Sequence, residues 1–148
     1  MLRSVLMGLV AGSRAMTPVA AVANAARTGK LPKDSAAPEF LASPLISAST
    51  MALAAYELAG DKQASAPDRV ITPAVVVRTV NAALAGAAVA PRDKRWLGAA
   101  LAGGTAAAAA YVSWRLRMRA MQGGGGQAIT GFIEDAVIVP LAVAAATR

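Results

Sequence analysis

Apolar residues gather along the chain in five long segments, separated by short polar, basic or glycine-rich stretches. The segments cover residues 4–26, 40–60, 70–91, 96–114 and 128–147. A helix that crosses a membrane needs about 20 mostly apolar residues, and each segment comes near that length. The pattern predicts an all-α fold: one transmembrane domain over residues 1–148, built as a polytopic helical bundle of about five membrane-embedded helices, some of them kinked or broken.

The fourth segment gives the clearest prediction of a membrane span. It carries no charge and is bounded by Trp96 and Trp114, where an interfacial aromatic belt would place tryptophan. Pro18 and Pro140 lie inside the first and fifth segments. Proline in a helix interior removes a hydrogen bond and frees backbone carbonyls for other partners. We therefore expect the first and last helices to be kinked.

Small residues recur four positions apart in these segments, and such pairs let helix backbones approach closely in lipid. The pairs are Gly8 with Gly12, Ala82 with Gly86, Ala99 with Gly103 and Ala100 with Gly104. They predict close helix packing inside the bundle.

Four stretches between the segments are predicted linkers, because they are rich in proline, glycine or charged residues. They cover residues 27–39, 61–69, 92–95 and 122–127. Thr72 followed by Pro73 is typical of a helix N-cap and first helical position, so the third helix should begin there.

The composition of the chain excludes several kinds of catalytic and metal-binding site. The chain has no Cys and no His, which excludes disulfides, the usual zinc sites, thiol nucleophiles and imidazole catalysis. Aromatic residues make up 4% of the chain, and the net charge of +7 is spread between the apolar segments. So few aromatic side chains are unsuited to stacking on nucleic-acid bases. We expect a membrane protein that is not an enzyme, with no cofactor, no metal and no nucleic-acid partner.

The basic residues do not decide the membrane orientation if the chain crosses five times. One side would receive six of them and the other seven, whereas the positive-inside rule needs a clear excess. An incorrect number of spans explains this balance better than a weakly specified topology does. Arg3, the apolar run after it and the A-x-A pattern at residues 23–25 also fit a secretory signal. Arg14 and the continuation to Ala26 favour a retained helix instead.

Charged residues inside the apolar segments are the most informative feature of the sequence. Arg14 and Arg78 lie in the first and third segments, Glu57 lies in the second, and Glu134 and Asp135 lie in the fifth. A charge at the centre of a bilayer costs roughly 2.5–3.5 kcal/mol on insertion scales. We therefore expect opposite charges on different helices to pair inside the bundle.

Three further polar residues extend this candidate site. Asp61 follows Glu57 at helical spacing on the same face, and Asn81 has the same relation to Arg78. Thr17 and the kinked backbone near it would supply ligands, as broken helices do in transporters. The predicted ion- or ligand-binding site, or buried charge network, consists of Arg14, Thr17, Glu57, Asp61, Arg78, Asn81, Glu134 and Asp135.

Three functions compete for these residues. In the first, which is favoured because the charges can neutralise one another, the network is sealed and structural. The protein is then an accessory membrane component, with the lipid bilayer and a homo-oligomer or larger complex as partners. In the second, the charges line the cavity of a small ion or polar-solute transporter or channel. In the third, an enzyme acting on a lipid would use the carboxylates, but it lacks a recognisable nucleophile.

The motifs around these charges resemble a known family. Residues 12–17 (Gly-Ser-Arg-Ala-Met-Thr) are similar to the G-x-R-S-M-T signature of small bacterial integral-membrane proteins grouped as a domain of unknown function. Residues 56–62 are similar to the family's G-E-L-x-x-D-K stretch, and residues 134–136 to its E-D-A motif. The chain departs from the pattern at Ala15 and after Lys62. The resemblance implies a multi-pass helical bundle in the bacterial inner membrane, and it implies no activity.

Overall fold

The computed structural model describes residues 1–60, 71–122 and 127–147. Those residues form an all-α fold without a strand, which confirms the predicted class. The six α-helices are α1 (Leu2–Ser13), α2 (Thr17–Arg27), α3 (Pro44–Gly60), α4 (Thr72–Val89), α5 (Arg95–Gln122) and α6 (Gln127–Ala146). The predicted linker at 61–69, and the four glycines of the one at 122–127, lie outside the described residues.

The first predicted span is two helices that run in opposite directions, and α1 is antiparallel to α4. Near the start of α1, the Ser4 hydroxyl donates to the Gly86 carbonyl close to the C-terminus of α4, at 3.0 Å. Near the end of α1, the Ala11 carbonyl accepts from Arg78, two turns earlier on α4, at 3.2 Å.

The second helix returns toward the starting end. The Ala15 carbonyl accepts from Asn81 in the middle of α4, at 3.1 Å. Further along α2, Val22 and Ala25 pack in one cluster with Val89 at the C-terminus of α4. Because α2 runs parallel to α4 and α1 runs antiparallel to it, residues 2–27 form a helical hairpin whose two ends lie at the same end of the bundle.

We call the end at which the chain starts the near end, the opposite end the far end, and residues 14–16 the hairpin tip. The 12 residues of α1 span about 18 Å at 1.5 Å per residue. The tip therefore stops inside the bundle, beside the middle of α4. The expectation that Ser4 to Ala26 crosses the bundle once is wrong, and the expectation of a broken helix is correct.

Proline positions explain where the helices break and where they continue. Pro18 lies in the first turn of α2, where its missing N–H costs nothing and its fixed φ favours helix. The break consequently precedes the proline instead of kinking the helix around it. Pro140 lies inside α6, which continues through it as one helix. Helix α4 has Ile71 as its N-cap, so Thr72 is the first helical residue and not the cap that the sequence predicted.

The helices α1, α4 and α5 pack through glycine and alanine. A Cβ atom on Gly8 would meet Thr105, one on Gly12 would meet Ala109, and one on Gly86 would lie 2.7 Å from the Gly98 carbonyl oxygen. Only a residue without a side chain fits at these positions, and its absence of a side chain lets the helix backbones approach closely. The pairs Gly8 with Gly12 and Ala82 with Gly86 therefore lie in the packed core, as the spacing predicts. Gly104 instead faces open space, because a Cβ atom on it would have no neighbouring atom within 4 Å among the described residues.

Two loops meet at the near end. The Ser35 hydroxyl donates to the Ala88 carbonyl at 2.6 Å, and the Arg92 amide donates to the Asp34 carbonyl at 3.1 Å. Gly29 turns the chain after α2 with a φ of +65°, a conformation that side chains disfavour. The loop at 27–39 thereby closes the C-terminus of α4 and fixes the connections after α2 and α4 at the same end.

The interior of the bundle consists mainly of small and polar residues, and many large apolar side chains lie on its exterior. The buried residues are mostly alanine together with Ser4, Ser13, Arg14 and Arg78, whereas large apolar side chains face outward. Outward-facing examples with more than half of their surface exposed are Leu53, Leu84, Leu116, Phe132, Ile133 and Val137. A fold in water buries such side chains, so this surface suits an apolar surrounding.

Among the described residues, two helices are long and apolar enough to cross a membrane, in windows 72–89 and 129–146, and only 33% and 22% of those windows is buried. Neither window is a mostly buried core helix, and neither lies at the N-terminus. The fourth segment, predicted as the clearest span, is not among the two, because its apolar residues are mainly alanine and glycine. It is also longer than predicted, since α5 continues through three arginines to Gln122.

Candidate functional site

The hairpin tip exposes the backbone polar groups of two helix ends. Helix α1 ends at Ser13, and Arg14 is extended, with φ −137° and ψ 109°. Helix α2 begins at Thr17. A helix end leaves carbonyls at its C-terminus and N–H groups at its N-terminus without helical partners. The first carry partial negative charge and the second partial positive charge, so the tip presents both signs within a few residues.

Cations and a hydroxyl satisfy the carbonyls at the end of α1. Arg78 donates from Nη1 to the carbonyls of Ala11 at 3.2 Å and Gly12 at 3.4 Å. The Ser113 hydroxyl donates to the Gly12 carbonyl at 3.2 Å. Arg14 donates from Nη1 to the Ser13 carbonyl at 3.1 Å. The negative end of α1 therefore lies against two guanidinium groups.

Glu57, near the end of α3, occupies the positive end of α2. Its Oε1 accepts from the Ala15 amide at 2.7 Å, and its Oε2 accepts from the Met16 amide at 2.8 Å. The Nη2 of Arg78 lies 3.8 Å from Oε1 of the same carboxylate. One carboxylate thus bridges the hairpin tip, α3 and α4.

Arg14 joins the tip to α6. Its side chain is fully buried, and its Nε and Nη2 atoms both lie 2.7 Å from Oδ1 of Asp135. Oε2 of Glu134 lies 3.6 Å from Nη2 of Arg14. Charge-assisted contacts of this length are the strong kind, so the tip is fixed to α6 as well as to α3 and α4.

Arg117 completes the cluster, and the sequence did not predict it. It lies just beyond the fourth predicted segment, its side chain is only 8% exposed, and its Nη1 lies 3.9 Å from Oε2 of Glu134. Ser113 and Arg117 continue the helical face of Ala106 and Ala110, which the structure buries. Every face of the predicted segment is uncharged, so the sequence did not show which one would be buried.

The remaining predicted residues divide into three cases. Asn81 lies at the tip, where its side-chain amide donates to the Ala15 carbonyl at 3.1 Å and contacts Met16 Sδ at 3.2 Å. Thr17 is buried at the start of α2, and its hydroxyl has no hydrogen-bond partner among the residues that the structure describes. Asp61 lies outside the described residues.

Among the residues that the structure describes, three guanidinium groups meet three carboxylates around the tip. The tip, α3, α4, α5 and α6 contribute them, and each of these carboxylates has at least one cationic neighbour. Buried charges are tolerated in low dielectric only when they are paired in this way. In the described part of the chain no group of three acidic side chains is placed to hold a metal ion.

Two cavities adjoin the tip. A cavity of about 350 Å³ lies between α5 and α6, with polar lining from Ser13, Ser113, Arg117, Thr130 and Glu134. A cavity of about 310 Å³ lies between α3 and α4 and is lined by Ala15, Glu57, Pro73, Ala74, Val77 and Arg78. Pockets of 300 Å³ or more with a few polar groups in apolar walls are typical of ligand sites.

A third cavity, of about 230 Å³, lies between α2, α3 and α6. Its walls are mainly apolar, with Thr17 and Asn24 as the polar lining. Thr17 thus forms part of the cavity wall, while its hydroxyl oxygen is itself buried.

An inside-out helical bundle with a broken, charged hairpin at its centre is the class of protein that fold and site define. The sequence matches the family described as domain of unknown function DUF4126 over residues 1–147, and the chain belongs to that family. The resemblance seen in the sequence motifs is thereby confirmed. No curated protein and no solved structure matches the chain.

Proposed function

We propose that the protein is a multi-pass protein of the bacterial inner membrane that admits a small ion or polar solute to the hairpin tip. Its reversed surface supports the membrane location, because large apolar side chains face outward from most helices. In this arrangement α3 to α6 cross the bilayer, and α1 and α2 enter and leave on the near side as a re-entrant hairpin.

The observation that carries the functional proposal is the break in the backbone at the charged tip. Non-helical backbone at membrane depth is tolerated where it is buried in protein or lines a water-filled cavity. In transporters, half-helix ends near the bilayer centre bind the transported ion or substrate. Here the two half-helix ends lie between two cavities, and each cavity includes one cation and one carboxylate of the tip.

A second candidate function is that of an accessory membrane component with a sealed core. The pairing of three cations with three carboxylates among the described residues favours it, because paired buried charges need no ligand to be stable. Both candidates use the same residues, and they differ in whether water reaches the tip.

Single cysteines distinguish the two candidates, because the chain has none of its own. Ser113→Cys and Ala74→Cys each place a thiol in one of the two flanking cavities. Leu84→Cys is the matched control, since it faces outward from α4 and would lie in lipid. Lys94→Cys, in the exposed near-end turn, is the positive control.

The variants are labelled in intact membranes with a small water-soluble maleimide. We expect the two cavity thiols and Lys94→Cys to react and Leu84→Cys to stay unlabelled. Reaction at Lys94→Cys alone would contradict the transport proposal and favour the sealed accessory component. Reaction at Leu84→Cys would contradict the membrane location of α4 itself.

A further inference from the structure

The carboxylate of Glu57 is held the way an anionic ligand is held. Each of its oxygens accepts one backbone N–H bond, from Ala15 at 2.7 Å and from Met16 at 2.8 Å. These amides lie where α2 begins, and 11 residues of helix follow them. N–H groups at a helix start and the helix dipole together favour bound anions.

Two further features turn this helix end into a built site. Arg78 is buried, and its Nη2 lies 3.8 Å from Oε1 of Glu57, so a fixed cation faces the same position. The cavity of about 310 Å³ between α3 and α4 opens beside it, lined by both Glu57 and Arg78. The carboxylate thus has amides and a cation on one side and free space on the other.

We propose that the position held by the Glu57 carboxylate is a binding site for a small monovalent anion, with Glu57 as a tethered and exchangeable occupant. This inference rests on the proposed function and names its solute class. The incoming anion takes the two amide bonds while the Glu57 side chain rotates into the adjoining cavity. Glu57 lies in the last turn of α3, where a helix moves at low cost.

Charge balance supports the choice of an anion over a cation. The group that holds this position is itself a carboxylate, and its removal takes one negative charge away from beside Arg78. Positive ends of helices also repel cations. One monovalent anion restores both the charge balance and the amide hydrogen bonds.

Replacement of Glu57 by alanine empties the site and allows a direct test. Purified Glu57→Ala protein is heated in detergent with sodium formate, sodium chloride or sodium gluconate at equal ionic strength. A ligand that binds only the folded state raises the melting temperature in a saturable way. We expect formate and chloride to restore at least half of the melting temperature that the substitution removes. Gluconate, whose hydroxylated chain must enter the adjoining cavity as well, should restore less than formate does.

Two controls separate this effect from a general salt effect. Wild type should gain much less from formate than Glu57→Ala does, because its own carboxylate competes for the site. Glu39→Ala removes an exposed carboxylate near the start of α3 and should respond as wild type does. If the alanine variant cannot be purified, Glu57→Ser, which also removes the carboxylate and leaves its position open, is measured in the same way.

Exchange in the native protein is tested by chloride efflux from liposomes. Wild type should release chloride faster than empty liposomes, and Glu57→Ala should change that rate several-fold while Glu39→Ala does not. Absence of anion rescue in both Glu57 variants would overturn the site, and rescue without wild-type efflux would overturn the exchange. Reactive cavity thiols without anion rescue would leave the proposed function standing and remove only the anion.

Discussion

Arg14 and Asp135 are 121 residues apart in the chain and form the tightest ion pair at the tip, with Nε and Nη2 of the arginine both 2.7 Å from Oδ1 of the carboxylate. The arginine side chain is fully buried and the aspartate side chain is 13% exposed. Because Arg14 lies where α1 ends, this pair fixes the depth of the hairpin against α6.

Loss of one partner of this pair should destabilise the fold strongly. Asp135→Ala leaves a buried guanidinium, and such a change costs about 3–5 kcal/mol. We expect the low end of that range, since Glu134 remains 3.6 Å from Nη2 of Arg14. The free energy of unfolding in detergent, measured by denaturant titration, gives the value.

A double replacement tests whether the pair itself carries the effect. Arg14→Met with Asp135→Leu removes both charges, and apolar replacement of a whole buried pair is often neutral. We expect the double variant to regain most of the stability lost in Asp135→Ala. Arg27→Met, at the exposed end of α2, should change the free energy of unfolding by no more than about 0.5 kcal/mol. A double variant as unstable as the single one would contradict this assignment.

Two glycines should respond oppositely to a single added methyl group. In Gly86→Ala the new Cβ would lie 2.7 Å from the Gly98 carbonyl oxygen, and overpacking of this kind costs about 1–3 kcal/mol. In Gly104→Ala the Cβ enters open space, so the better helix propensity of alanine should leave stability equal or slightly higher. Thermal unfolding of both variants in detergent checks the contrast, and equal effects would contradict the packing of α4 on α5.

Thr17→Val probes the buried hydroxyl of a residue that lines the third cavity. Valine has nearly the shape of threonine, and the hydroxyl has no hydrogen-bond partner among the described residues. Since no hydrogen bond between described residues is lost, we expect the free energy of unfolding to stay equal or to rise. A loss of about 1 kcal/mol or more in thermal unfolding would show that the hydroxyl is satisfied in the folded protein.

The hairpin changes the distribution of basic residues and thereby predicts an orientation. Once Arg3 shares the near end with the loop at 27–39, eight of the 15 basic residues belong to that end or to the chain just beyond it. These are Arg3, Arg27, Lys30, Lys33, Arg92, Lys94, Arg95 and Arg148. The segments connected to the far end contain five, of which Arg117 is buried in the tip. The positive-inside rule then places the near end in the cytoplasm.

A reporter fused after Arg148 measures this orientation. We expect an enzyme that is active only in the cytoplasm to be active in the fusion. Replacement of Arg92, Lys94 and Arg95 by glutamine should shift part of the population to the reverse orientation. A fusion active only outside the cytoplasm would contradict the assignment.

The hydrophobic pattern and the isolated charges predicted much of the architecture, because both can be recognised residue by residue in the sequence. The apolar segments locate α3 to α6, and the isolated charges identify Arg14, Glu57 and Arg78 as residues that lie together at the tip. An unpaired charge inside a membrane is costly in any arrangement of the helices. The sequence alone therefore predicts that each of these charges has a partner. The role of these residues in function stays a prediction.

The reversal of the chain between α1 and α2 could not be predicted from the sequence. Residues 4–26 have the length and hydrophobicity of a single span, and nothing in that pattern indicates a reversal at Arg14. The reversal depends on partners far along the chain, namely the amide contacts of Glu57 and the ion pair with Asp135. Arg117 was missed for a related reason, since only the packing of α5 on α1 shows which of three neighbouring arginines is buried.

The most direct test of the hairpin compares the two ends of α1 and α2 across the membrane. Leu2→Cys and Lys30→Cys flank the hairpin, and Gln122→Cys lies at the far end of α5. Each variant is labelled with a membrane-impermeant maleimide from one side at a time, in intact cells and in inverted vesicles. We expect Leu2→Cys and Lys30→Cys to react from the same side and Gln122→Cys from the opposite side. Labelling of Leu2→Cys and Lys30→Cys from opposite sides would show that residues 4–26 cross the membrane once, and would contradict the hairpin.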